Sequence, residues 1–232
     1  MHSIESIIDR QLKRWELQRA ISDRSPEKAP APRPVITISR AIGAGGEEVA
    51  ARLSEKSGFH VFDGEILDSI ARDLGIRERM ADLLDEKTQS ELQSWFLGMM
   101  TGRIIDQSDY IKSLTRLVGS LIALGEAILI GRGTNIIVGP RMGFHIRVTA
   151  SRKKRIEKVA ASMAVSHREA EGLVDESDEA RAHFVRKSFG ADINDLTLYD
   201  LIINTDILSV EDAVDLAYAG YIKKEGILRK EK

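Results

Sequence analysis

The chain has 232 residues, 43% of them hydrophobic, which suits one domain with appendages and a substantial core. Lysine and arginine total 34 against 36 for aspartate and glutamate, and this near balance gives no support to a nucleic-acid-coating or membrane-surface role. Cysteine is absent, which excludes disulfides, thiolate chemistry and cysteine-ligated metals.

Residues 2–22 read as a helix, because Ile4, Ile8, Leu12 and Trp15 form one apolar stripe at helical spacing. Such a stripe needs cover: from the domain, from a second copy in a homodimer, or from another protein. The segment 25–34, SPEKAPAPRP, holds four of the five prolines and is an extended linker. The expected organisation is therefore an N-terminal helix over 1–24, a linker over 25–34 and a domain over 35–232. No signal-peptide pattern opens the chain, and Glu5, Asp9 and Glu16 count against a transit peptide. The most apolar stretch, 121–130, is broken by Gly125 and Glu126 and falls far short of the roughly 20 residues of a spanning helix. A soluble, cytoplasmic protein is expected.

Within the domain, VITIS (35–39) is a buried-strand candidate, and 47–57 is a helix that stops at Gly58. FHVFD (59–63) is a second strand. Residues 64–125 lack strand signals and read as helical throughout, with the WFLGMM stripe (95–100) as helix packing. AILIG (127–131), FHIRVTA (144–150) and YDLIIN (199–204) are further strands. Ser166 and Glu169 form a capping box that opens a helix, and Ser209, with Asp212 three residues on, starts the terminal one. Short apolar strands separated by helices indicate a parallel sheet covered on both faces, whose ligands bind beyond the carboxyl ends of the strands. The glycine loop, Asp63, Arg132 and Asp206 all fall on that rim.

The loop reads ISRAIGAGGEEVA. Gly43, Ala44, Gly45 and Gly46, between a strand and a helix, can cradle phosphate with backbone N–H groups and the positive end of the helix. The usual motif places a lysine and a Ser/Thr after its last glycine, to reach the outer phosphates and hold magnesium. Here those positions are Gly46 and Glu47. A plain strand-to-helix turn, with Glu47 and Glu48 favouring the helix dipole, is the alternative. Arg40 leaves the strand directly into the loop and is the first cation available to replace the lysine, unless it pairs with Glu47. Asp63 also suits a helix N-cap. Asp178 and Arg181 suit an ordinary helix-surface pair. His60, His145, His167 and His183 have no metal-ligand spacing around them.

ITISRAIGAGGEEVAARLSEKSGFHVFDGEIL resembles the start of the cytidylate kinase-like family, relatives of bacterial cytidylate kinase whose loop typically reads S-R-x-x-G-S-G-G without the lysine. The likeness continues through AILIGRGTNIIVG, FHIRVTASRKKRIEKV, DESDEAR and YDLIINTDILSVEDAVDL. It implies an α/β, three-layer P-loop NTPase-like fold with about five parallel strands, a helical monophosphate-binding insert (64–125) and a lid near 165–190. It implies ATP as donor with substrate-borne Mg2+, and CMP or dCMP as acceptor. It assigns Gly43, Ala44, Gly45, Gly46 and Arg186 to the donor, and Asp63, Arg132, Asp178 and Arg181 to the acceptor. Arg40, Arg132 and Arg181 would surround the moving phosphoryl group, with Arg152, Arg155 and Lys187 nearby. Arg132 matches the arginine that holds the monophosphate in true cytidylate kinases, and Asp175, Asp178 and Arg181 match their lid. Val174 replaces the first lid arginine, and Gly64 replaces a serine. Ser69 stands about where an arginine would be, with Arg72 one turn later. These departures keep two other readings open: a catalytically impaired nucleotide-binding regulator, and an interaction protein acting through the N-terminal helix.

Overall fold

The apolar runs form one parallel sheet in the computed structural model, which describes residues 9, 12–17, 20, 33–84, 86–102 and 108–230, the side chains of 99–102 excepted. Its strands are β1 (Val35–Arg40), β2 (His60–Phe62), β3 (Ala127–Ile130), β4 (Gly143–Thr149) and β5 (Leu201–Asn204). They lie in the order β2-β3-β1-β4-β5, and each neighbouring pair is parallel. The register sets Ile38 of β1 beside Ile130 of β3 and Ile146 of β4.

Alternate residues of each strand serve opposite faces. On one face Ile36, Ile38, Ile128, Ile130, Ile146 and Val148 pack under α1 (Gly46–Ser57) and the terminal α9 (Val210–Leu228). On the other, Val35 and Leu129 pack under a helical layer. The segment 64–125 supplies much of that layer as α2 (Gly64–Arg72), α3 (Leu74–Asp82), α4 (Glu86–Gly102) and α5 (Asp109–Leu124). Gly119 of α5 lets α4 approach, since a Cβ there would lie 3.1 Å from the Trp95 ring. The short α6 (Thr134–Val138) follows β3. Helix α7 (Arg152–Met163) packs against the long α8 (His167–Phe189), with Ile156, Val159, Ala170 and Val174 in their seam. The expected stops and starts are present: Gly58 caps α1 in the left-handed region, and Ser166–Glu169 and Ser209–Asp212 are complete capping boxes.

Of the N-terminal stripe, Ile4 and Ile8 lie outside the described residues. Leu12 and Trp15 are buried in the chain's own core, and the Trp15 ring stacks on Phe62 of β2 with centroids 6.2 Å apart. Arg14 reaches Glu126 at 3.2 Å, and Asp9 reaches Arg79 at 3.3 Å. These two stripe residues are thus covered by the domain and present no pairing face. Removing the indole by Trp15→Ala is expected to lower stability to urea by about 3 kcal/mol. An unchanged midpoint would contradict this docking.

His145 of β4 is buried between the Thr37 hydroxyl (2.8 Å to Nδ1) and the Gly139 carbonyl (2.9 Å to Nε2). Nε2 therefore donates to Gly139, and Nδ1 accepts from Thr37. Burial holds the ring below its ordinary value of 6.5; Lys224 adds to this, while the Gly139 bond and Asp200 oppose it. The unfolded chain takes up this proton before the folded one does. Stability that is full above about pH 6.5 is therefore expected to fall as the pH drops below it. In His145→Gln this part of the pH dependence should vanish from urea midpoints measured between about pH 7 and pH 5.

Candidate functional site

The chain leaves β1 toward β2 on one side and leaves β3 toward β4 on the other. A crevice therefore opens between the carboxyl ends of β1 and β3. A cleft of about 690 Å³ lies there, and Arg40, Glu47, Asp63, Arg132, Arg181 and Tyr199 line it. A second depression, of about 460 Å³, lies on the other side of the glycine loop, against Gly43, Ala44, Gly45, Lys154, Lys158 and Thr205.

The loop is shaped by what touches it. Gly43 has φ +76, and a Cβ there would lie 2.6 Å from the Arg155 carbonyl oxygen, so the backbone of α7 rests directly on the loop. Gly45 caps α1 without a side chain, so the cap residue offers no acceptor to the first N–H groups of that helix, and the Glu47 carboxylate bonds its own N–H there. A Cβ on Gly46 would lie 2.5 Å from Cβ of Arg40. The stem of Arg40 thus fills the space that the motif lysine would need.

Beyond that stem, Nε of Arg40 donates to Glu47 at 2.8 Å, and Nη1 lies 2.6 Å from where a Cβ on Gly131 would be. Arg181 of α8 donates to the Arg40 carbonyl at 2.7 Å. Burial, followed by repulsion from Arg40, pushes the Arg181 guanidinium down to about 10, which leaves it charged at neutral pH. Burial raises the Glu47 carboxyl, but its hydrogen bond to Arg40 and the charges of Arg40 and Arg181 outweigh this and hold it below the carboxylate range. Glu48, the other acid of the helix start, accepts from Lys158 of α7 at 3.0 Å. Each of the two glutamates at the helix start therefore has its own cation.

Arg132 follows β3 in the left-handed region, at φ 51. Its fork holds both oxygens of Asp68 on α2, at 2.9 and 2.6 Å, and Tyr110 of α5 donates to the same carboxylate at 2.6 Å. The Asp68 bond keeps Arg132 raised, and burial together with Asp68 raises the Tyr110 phenol. Asp63 lines the cleft while capping α2, accepting from Glu65 and Ile66.

The lid acids are engaged elsewhere. Asp178 does not pair with Arg181 three residues on; it accepts both arms of the buried Arg155, at 2.9 and 2.7 Å. Arg152 holds Glu171 and Asp175. Arg152 and Arg155 thus tie α7 to α8 and line neither the cleft nor the depression. Arg186 is exposed and lines neither as well, and Arg72 lies in a separate shallow depression beside Asp68 and Ser69. Asp206 accepts from the Ser151 N–H at 2.7 Å. Asp68, Tyr110, Lys158 and Arg147, which donates to Ser39 at 2.6 Å, were not foreseen from the sequence. Each is placed by packing between elements distant in the chain. Among the described residues no group of three or more His, Asp or Glu side chains suits a metal ion, and no helix is long and apolar enough to cross a membrane.

The model of the cytidylate kinase-like family matches residues 35–207. A cytidylate kinase from Methanopyrus kandleri is 25% identical over 188 residues, covering 80% of this chain and 91% of that protein. One from Natronomonas pharaonis is 29% identical over 197 residues, with the same coverage of 80% and 91%. An uncharacterized protein from Eubacterium ventriosum shares the fold, with a TM-score of 0.65 at 18% identity over 82% of this chain and 99% of that one. A gluconokinase from Sinorhizobium meliloti does so at 0.50 and 12%, over 88% and 99%.

Restoring the motif lysine alone is expected to fail on steric grounds. Gly46→Lys should cost about 2 kcal/mol in thermal or urea unfolding through overpacking against Arg40. Adding Arg40→Ala should recover most of that loss, giving a coupling that separates this contact from a general dislike of lysine in the loop.

Proposed function

The chain belongs to the cytidylate kinase-like family, and on that premise we propose that it is a nucleoside monophosphate kinase that passes the γ-phosphoryl group of MgATP to CMP or dCMP. One observation carries this reading. Arg40 from β1, Arg132 from the end of β3 and Arg181 from α8 face one cleft at the β1/β3 crevice, beside the glycine-capped start of α1. Phosphoryl transfer asks for positioning and positive charge more than for covalent help, and this arrangement supplies both.

In this reading the donor phosphates lie over the N–H groups that open α1, with magnesium carried by the nucleotide. The acceptor phosphate takes the Arg132 fork, exchanging with the Asp68 carboxylate, an acceptor of similar geometry. An acceptor phosphate oxygen attacks the γ-phosphorus, the bond to the β-phosphate oxygen breaks, and ADP leaves. Arg40 and Arg181 face the transferring group and offset its charge. Asp63 holds the start of α2, and thereby Asp68, in place.

A second reading, a nucleotide-binding regulator without turnover, draws on Val174. It takes the place of a lid arginine and is fully buried in the α7–α8 seam, so no cation enters the cleft from that position.

ADP release should be measured with MgATP and each common monophosphate in turn. Turnover is expected with CMP or dCMP, and Arg132→Ala should lower kcat/KM for the monophosphate by at least about 100-fold, the effect of losing a charged fork. A folded protein that binds ATP yet turns over no monophosphate would leave the regulator reading standing.

A further inference from the structure

We propose that Lys158, reaching across from α7, is the donor-phosphate cation that stands in for the lysine missing from the loop, and that Glu48 holds it there between substrates. This rests on the kinase reading and names a residue that the reading leaves unassigned.

The loop has two sides, and its cations divide between them. Arg40 occupies the stem space of position 46, but its guanidinium turns toward Glu47 and Gly131, into the acceptor cleft. That leaves the donor side without a loop cation. On that side α7 sits on Gly43 through the backbone of residue 155. Lys154 and Lys158 are one turn apart on α7 and both line the depression against Gly43, Ala44 and Gly45. Nζ of Lys158 lies 3.2 Å from where a Cβ on Gly45 would be, directly over the residue that caps α1. The ammonium therefore stands beside the glycine that caps α1, having arrived from a different helix.

Glu48 explains how a long, flexible side chain is kept there. Its carboxylate meets Lys158 at 3.0 Å, with the two side chains 55% and 44% exposed. An ion pair this exposed contributes little to stability. A polyphosphate carries more charge than one carboxylate and can take the ammonium over from it. The glutamate at the helix start thus acts as a holder for the cation and not as a barrier to phosphate.

The test uses the full chain and its Lys158→Gln, Lys158→Arg and Lys153→Gln variants. Lys153 is exposed on the same helix and does not line the depression. Thermal unfolding should be unchanged in all three. By calorimetry, Lys158→Gln is expected to weaken MgATP binding about tenfold or more, Lys158→Arg to recover most of it, and Lys153→Gln to leave it unchanged. In turnover, Lys158→Gln should raise KM for MgATP and lower kcat while KM for the monophosphate holds. Full MgATP affinity in Lys158→Gln, or an equal loss in Lys153→Gln, would overturn this inference and leave the kinase reading intact. A wild-type chain that binds no MgATP would overturn both.

Discussion

The contact between the stem of Arg40 and the backbone of Gly46 is the constraint on which the rim of the sheet depends. Two side chains cannot share that space. Once residue 40 fills it, residue 46 must lack a Cβ. The guanidinium of Arg40 then falls between β1 and β3 and needs a near neighbour without a side chain, which Gly131 provides. Its charge draws Glu47, and its carbonyl receives Arg181. One steric substitution thus accounts for the glycine at 46, the acid at 47 and the approach of α8.

Charge on this rim comes mostly in pairs. Arg40 has Glu47, Lys158 has Glu48, and Arg132 has Asp68, which also accepts from Tyr110. In a low-dielectric crevice, isolated cations would repel one another, as the effect of Arg40 on Arg181 illustrates. Carboxylates offset that repulsion and fix rotamers in advance. On the proposed kinase reading, a phosphate would enter by exchanging with a carboxylate, which leaves little reorganisation for the moment of binding.

Much of the scaffold was legible in the sequence because it depends on local pattern. Short β-branched runs, Gly58, and the Ser166 and Ser209 boxes are each read within a few residues, and strand ends alone put the glycine loop, Asp63, Arg132 and Asp206 on one rim. The rest was hidden because it depends on how helices meet. Asp178 and Arg181 look like a surface pair from their spacing, yet a bidentate bond to a buried arginine is stronger than an exposed pair three residues apart, so Asp178 turns to Arg155. Asp68 and Lys158 carry no local signal at all. Nothing in α2 or α7 announces which loop each will face.

The backbone of α7 resting on Gly43 also bears on the order of assembly. The glycine loop leaves the ribosome before α7 and α8, together with β1 and α1. The residue that presses it into shape is 155, and the helix that locks 155 in place is α8, through Asp178. A domain generally folds as a unit, so its earlier elements wait for the later ones during synthesis. Contacts between distant parts of a chain form late, because their loop-closure entropy must first be met. The loop, though it precedes α7 and α8, is therefore among the last parts of the site to take its final form, and a nascent chain that stops short of α8 carries the glycines without the contact that shapes them.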